Sequence, residues 1–172
     1  MRKSTTIIFG LAVALVVAAA AFAADGSGQT NAARSCRTER TAMGADAFKL
    51  LYGTNANRSN AFGKCVAKAA RAEHQATANS SQACRTERDS LGEAAFNAKY
   101  GRSDEDRGAF GKCVSGHAKN ALAEQQQERV NAAKTCKAER KALGAEAFRT
   151  KYGTNQNKAN AFGKCVSKLV NA

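Results

Sequence analysis

A stretch of 36 residues is written three times in this 172-residue chain, at Asn31–Val66, Asn79–Val114 and Asn131–Val166. The shared text is N-x4-C-x2-E-R-x3-G-x2-A-F-x3-Y-G-x7-A-F-G-K-C-V, so every copy holds two cysteines, 29 positions apart. A unit of this size lies below the roughly 40 residues at which an apolar core alone usually sustains a fold. It needs a cross-link, a metal or a neighbour. The gaps between copies are unequal, 19 positions from Cys65 to Cys84 and 23 from Cys113 to Cys136. A bond that belongs to the repeat should follow the constant spacing. The expected pairs are therefore Cys36–Cys65, Cys84–Cys113 and Cys136–Cys165. The competing reading is zinc, but zinc sites keep short ligand spacings. No C-x2-C is present, and His74 and His117 fall at unrelated positions outside the shared text.

The opening residues decide the chemistry available to those cysteines. Arg2 and Lys3 precede an apolar run from Ile7 to Ala20, and Ala21-Phe22-Ala23 supplies the small residues of a cleavage site. Residues 1–23 read as a signal peptide and 24–30 as a flexible linker. Retention of Ile7–Ala24 as a membrane anchor is the alternative, since about 18 apolar residues can span a bilayer. Export places paired thiols where they oxidise and stay oxidised. The expected location is secreted or in the cell envelope.

Each copy reads as helices alone. The chain contains no proline, is rich in Ala, and shows no alternation of period two. Asn31, Asn79 and Asn131 are expected to cap a first helix that carries Cys36, Glu39, Arg40 and Met43 on one face. Gly44, Gly92 and Gly144 end or bend it. A short second helix pairs Phe48 with Tyr52 and closes at Gly53, and a polar loop leads to a third helix near Ala61-Phe62. The expected core is Met43, Phe48, Tyr52, Phe62 and Val66. Connectors rich in Ala, Lys, Glu and Gln are helical too, and few large apolar residues in them favour beads or loose packing. The fold class is thus all-α: three tandem disulfide-stapled modules at 31–78, 79–130 and 131–172, joined by helical connectors.

Charge points to anionic partners. There are 27 Lys+Arg against 14 Asp+Glu, a net +13 that becomes +11 when Arg2 and Lys3 leave with the signal peptide. Solubility of a secreted helical protein is the plainer reading, because the cations are dispersed among acids. The repeated cations Arg40, Lys64, Arg88, Lys112, Arg140 and Lys164 are the candidate polyanion-binding residues. The Glu-Arg pair of each copy (Glu39, Glu87, Glu139 with the arginine that follows) has a structural reading as well, a bridge to Lys64, Lys112 and Lys164 or to the tyrosine hydroxyl of its own copy. The glycine before each of these lysines would permit close approach of the first helix. The loop asparagines Asn55, Asn57 and Asn60 have only the rhythm of a calcium loop; calcium prefers carboxylates. In the second copy the acids Asp104, Glu105 and Asp106 are consecutive. No nucleophile–base pair, phosphate-binding glycine loop or metal triad can be assembled, and few aromatics are left for base stacking. No cofactor and no sequence-specific nucleic-acid binding are expected.

The strings C-x2-E-R and Y-G-T-N-x-N-x-x-N-A-F-G-K-C-V, at Tyr52–Val66 and Tyr152–Val166, resemble a group of small exported helical repeat proteins of actinobacteria. The resemblance covers essentially the whole mature chain and implies a Gram-positive-type envelope or extracellular setting, without an activity. The second copy departs from the string at Arg102–Gly108. The leading expectation is a secreted, non-enzymatic repeat protein that binds envelope or extracellular polyanions at several weak sites. A membrane-active cationic helical protein and a wall-glycan-acting enzyme are the alternatives.

Overall fold

The computed structural model describes residues 26–101 and 108–172. The expected signal peptide and the acids Asp104, Glu105 and Asp106 lie outside the described residues. Seven α-helices and no strand occur among the described residues: α1 (Gly26–Met43), α2 (Ala45–Tyr52), α3 (Ala61–Leu91), α4 (Glu93–Tyr100), α5 (Ala109–Leu143), α6 (Ala145–Tyr152) and α7 (Ala161–Val170). The three cysteine pairs are those of the constant spacing, with Cα–Cα distances of 6.0, 6.1 and 6.1 Å.

The connectors are helical and uninterrupted. The third helix of copy 1 runs straight into the first helix of copy 2 as α3, and the same fusion between copies 2 and 3 makes α5. With no proline to stop it, the helix passes through Asn79 and Asn131, which are interior positions and cap nothing. The backbone of Gly26–Thr30, expected as linker, is likewise already helical in α1. Breaks occur where the repeat places glycine. Gly44 has φ +88°, donates its N–H to Arg40 O at 3.0 Å, and accepts from Phe48 N at 3.0 Å, so it ends α1 and starts α2. Gly92 and Gly144 repeat this at φ +79° and +81°. The left-handed region penalises a Cβ, so Gly44→Ala is expected to destabilise by about 1 kcal/mol or more, read from thermal unfolding. Gly53 answers a different need. Its backbone is extended, but an added Cβ would lie 2.7 Å from Lys49 O and 2.9 Å from Arg58 Cα. The lysine-preceding Gly63 and Gly111 have no such neighbour, which corrects the expected close approach there; Gly163 only reaches Leu51 O at 4.0 Å.

Within each copy the two short arms fold onto the disulfide. Phe48, Phe96 and Phe148 are fully buried, each with its ring centroid 4.9 Å from the following tyrosine ring. Beyond the copy, the arrangement is not a row of beads. Helices α3 and α5 form an antiparallel hairpin, closed at its tip by copy 2. By the 1.5 Å rise per residue, these helices are about 46 and 52 Å long. The hairpin returns copy 3 to copy 1, and the two share one core in which Met43, Phe48 and Tyr52 join Val130, Phe148, Phe162 and Val166. Copy 2 keeps a separate small core of Cys84, Phe96, Ala109 and Cys113. The expected loose packing fails because small residues let helix backbones approach closely. Ala76 and Ala118 on the hairpin, and Ala132 and Ala133 at the junction, are all buried.

Candidate functional site

Every copy pairs the same glutamate with the same tyrosine. The glutamate that follows the first cysteine accepts a hydrogen bond from the tyrosine 13 residues later. Tyr100 Oη donates to Glu87 at 2.9 Å, and Tyr152 Oη to Glu139 at 2.8 Å. In copies 2 and 3 a lysine from the short helix completes the clamp, Lys99 at 2.5 Å and Lys151 at 2.6 Å. The repeated glutamates thus do bridge to their tyrosines, but their lysines are these two and not Lys112 or Lys164. Hydrogen bonds from lysine first, then from tyrosine, hold Glu87 and Glu139 below the ordinary carboxylate pKa. A depressed folded pKa stabilises the folded state above the ordinary carboxylate value, near 4.3, and that contribution disappears as pH falls through the lower folded value. Acid titration followed by tyrosine NMR should show Tyr100 and Tyr152 released only at a pH below that at which an unperturbed carboxylate titrates.

Copy 1 breaks the pattern. Leu51 stands where the others have lysine, and Glu39 is buried at 1% exposure. Its Oε1 accepts from Tyr52 Oη at 2.6 Å and from Arg129 Nε at 3.4 Å. Arg129 comes from α5, so the clamp of copy 1 is closed by the connector between copies 2 and 3. Burial first, then the Glu39 charge, pushes the Tyr52 phenol well above its usual pKa.

The six repeated cations are not brought into one site. Arg40, Lys64, Lys112 and Lys164 are exposed, and Arg88 is exposed with its guanidinium 5.6 Å from the Phe110 ring centroid. Arg140 is half-buried and lines two grooves where copies 1 and 3 meet. The larger, about 750 Å³, sets Lys134, Lys137, Arg140 and Lys141 around Met43 and Gly44. The smaller, about 160 Å³, adds Arg58, Arg149 and Lys158 beside Phe148 and Phe162. No acidic residue lines either groove. Three of these cations already have partners, Lys158 through Thr150 Oγ1 at 3.4 Å. Arg58 caps α2 through Leu50 O at 3.1 Å and crosses to Ala159 O at 3.1 Å, and Arg149 pairs with Glu146 at 2.8 Å. Sequence reading missed Lys134, Lys137 and Lys141 because they are not repeated as a set. Their signal was local: spacings of i, i+3 and i+7 put them on one face of a helix.

The asparagine loops bond to themselves. Asn60 Oδ1 accepts from Thr54 N at 3.0 Å while its Nδ2 donates to Thr54 Oγ1 at 2.8 Å, and Asn160 and Thr154 repeat the exchange. These amides fix the turn. They make no side-chain hydrogen bond that caps the following helices. Cys84, Cys113 and His117 lie close enough to hold a metal, but both sulfurs are consumed in the disulfide, and a metal requires thiolates. His117 Nε2 instead lies 3.3 Å from Tyr100 Oη. Among the described residues, no helix is long and apolar enough to cross a membrane. Comparison with protein-family models, with curated proteins and with solved structures finds no match to this chain.

Proposed function

We propose that this is an exported, non-enzymatic binding protein that holds anionic polymers of the cell envelope or extracellular space by electrostatic contacts. The observation that carries the reading is the pair of acid-free basic grooves meeting at Arg140. Seven lysines and arginines line them, on a body held together by copies 1 and 3. Three intramolecular disulfides fit an oxidising compartment, and the resemblance to exported actinobacterial repeat proteins fits the same setting. The exposed cations of copy 2, at the far end of the hairpin, offer a second weak contact to a long polymer.

The test is retention on purified anionic wall polymer across a salt series. The triple variant K134E/K137E/K141E should lose at least about tenfold in affinity at low salt, whereas K64E/K112E/K164E should lose less. Retention that does not change from low to high salt would overturn the electrostatic reading. Equal losses from both triples would move the contact to the separate copies.

A further inference from the structure

The clamp of copy 1 opens onto a separate cavity that the polymer-binding surface does not use. It measures about 250 Å³, lies between α1, α3 and α5, and is lined by Glu39, Tyr52, Lys68, Arg71, Gln125 and Arg129 among others. Sites for drug-sized molecules run to roughly 300–1,000 Å³, so this one suits a small occupant. Its charge is unbalanced. Three cations face one carboxylate, and that carboxylate already accepts from Tyr52 and Arg129.

The donors are held but not used up. Arg129 is mostly buried, its side chain 18% exposed, and Glu39 fixes it through Nε. Among the described residues the guanidinium also meets the Tyr52 phenol, and of its five N–H groups further η donors remain. Lys68 lies with its Nζ 5.9 Å from the Tyr52 ring centroid, and among the described residues no acid pairs with it. Burial first and the neighbouring Arg129 second lower its pKa, against the pull of Glu39. A doubly charged anion would relieve that repulsion. Arg71 gives its Nε to Ala67 O at 3.2 Å and keeps its own η nitrogens. Planar guanidinium forks and a point-charge ammonium together match a tetrahedral oxyanion.

We infer that this cavity is a binding site for one small oxyanion, phosphate or a phosphomonoester, held by Arg129, Lys68 and Arg71, with Glu39 as the positioning residue for Arg129. Among the described residues the site occurs once. It exists because copy 1 has Leu51 where the other copies have the lysine that would neutralise the glutamate, so Glu39 is left to engage α5. It stands apart from the polymer-binding proposal, whose residues line other grooves.

Titration of the full oxidised protein with inorganic phosphate, and separately with glycerol phosphate, tests this by NMR. Saturable shifts centred on the Arg129 Nε–H and the Gln125 side-chain amide are expected with phosphate, and K68M should weaken them about tenfold, as for one charged contact. The paired variant E39Q/R129Q should abolish them. Glycerol phosphate that binds as tightly shows that the cavity admits a monoester, and its exclusion assigns the free ion. K137E, in the basic groove, should leave phosphate binding unchanged. Shifts centred on Lys134 and Lys137, loss of binding in K137E but not in K68M, or no saturable shifts would each overturn the assignment.

Discussion

Replacing Cys84 and Cys113 by serine is expected to unfold copy 2 alone, while copies 1 and 3 stay folded. Copy 2 buries one large side chain, Phe96, beside its disulfide and Ala109. In the chain-entropy model, a bond closing 29 residues contributes roughly 3.5 kcal/mol, a large share of what so small a core can supply. The same change at Cys36 and Cys65 should spread further, because Met43, Phe48 and Tyr52 share a core with Phe148, Phe162 and Val166. Loosening copy 1 exposes copy 3. Hydrogen exchange followed by mass spectrometry resolves the two cases: protection should be lost over residues 93–100 and the adjoining helix ends in the first variant, and over both 32–66 and 130–166 in the second. Equal loss in all three copies from either variant would contradict the division into a shared body and a separate tip.

Glu39→Gln should cost far more stability than the same change at Glu87 or Glu139. Breaking a buried ion pair by removing one partner leaves the other charge uncompensated, at about 3–5 kcal/mol. Arg129 would be left in that position, with Tyr52 exchanging its carboxylate acceptor at 2.6 Å for a weaker amide oxygen. Glu87 and Glu139 face half-exposed lysines that water can solvate, so each change should cost little. Chemical denaturation of the three single variants measures the difference. Combining E39Q with R129Q should recover part of the loss, because no charge is then stranded.

What lies inside a copy could be read from its letters. The F-x3-Y-G text marks α2, α4 and α6, the glycines mark the sharp joints, and the invariant cysteine spacing marks the staples. What lies between copies could not, for two physical reasons. The contact surfaces of α3 and α5 are built from Ala76, Ala118, Ala132 and Ala133, and alanine leaves no hydrophobic stripe in a sequence. The residues that make copy 1 the partner of copy 3 are departures from the repeat. Met43 is buried where Leu91 and Leu143 are exposed, at 45% and 44%, and Leu50 and Leu51 pack on the shared core. A reading that looks for what three copies have in common passes over what distinguishes one of them. Arg129 was invisible for a related reason: it lies in a connector, outside the shared text.

The return of copy 3 onto copy 1 also sets an order of events during synthesis. Copy 1 is translated first, yet the side chains that cover its Met43, Leu50 and Leu51 belong to residues made about 100 positions later. At typical elongation rates of about 5–20 residues per second, that is a wait of some 5–20 seconds. During it, the first copy keeps an uncovered apolar flank. Long-range contacts of this kind slow folding and leave early segments open to aggregation. The nascent chain is therefore most vulnerable after copy 1 has emerged and before copy 3 has, and a chaperone that holds it through that interval should raise the yield of correctly paired protein.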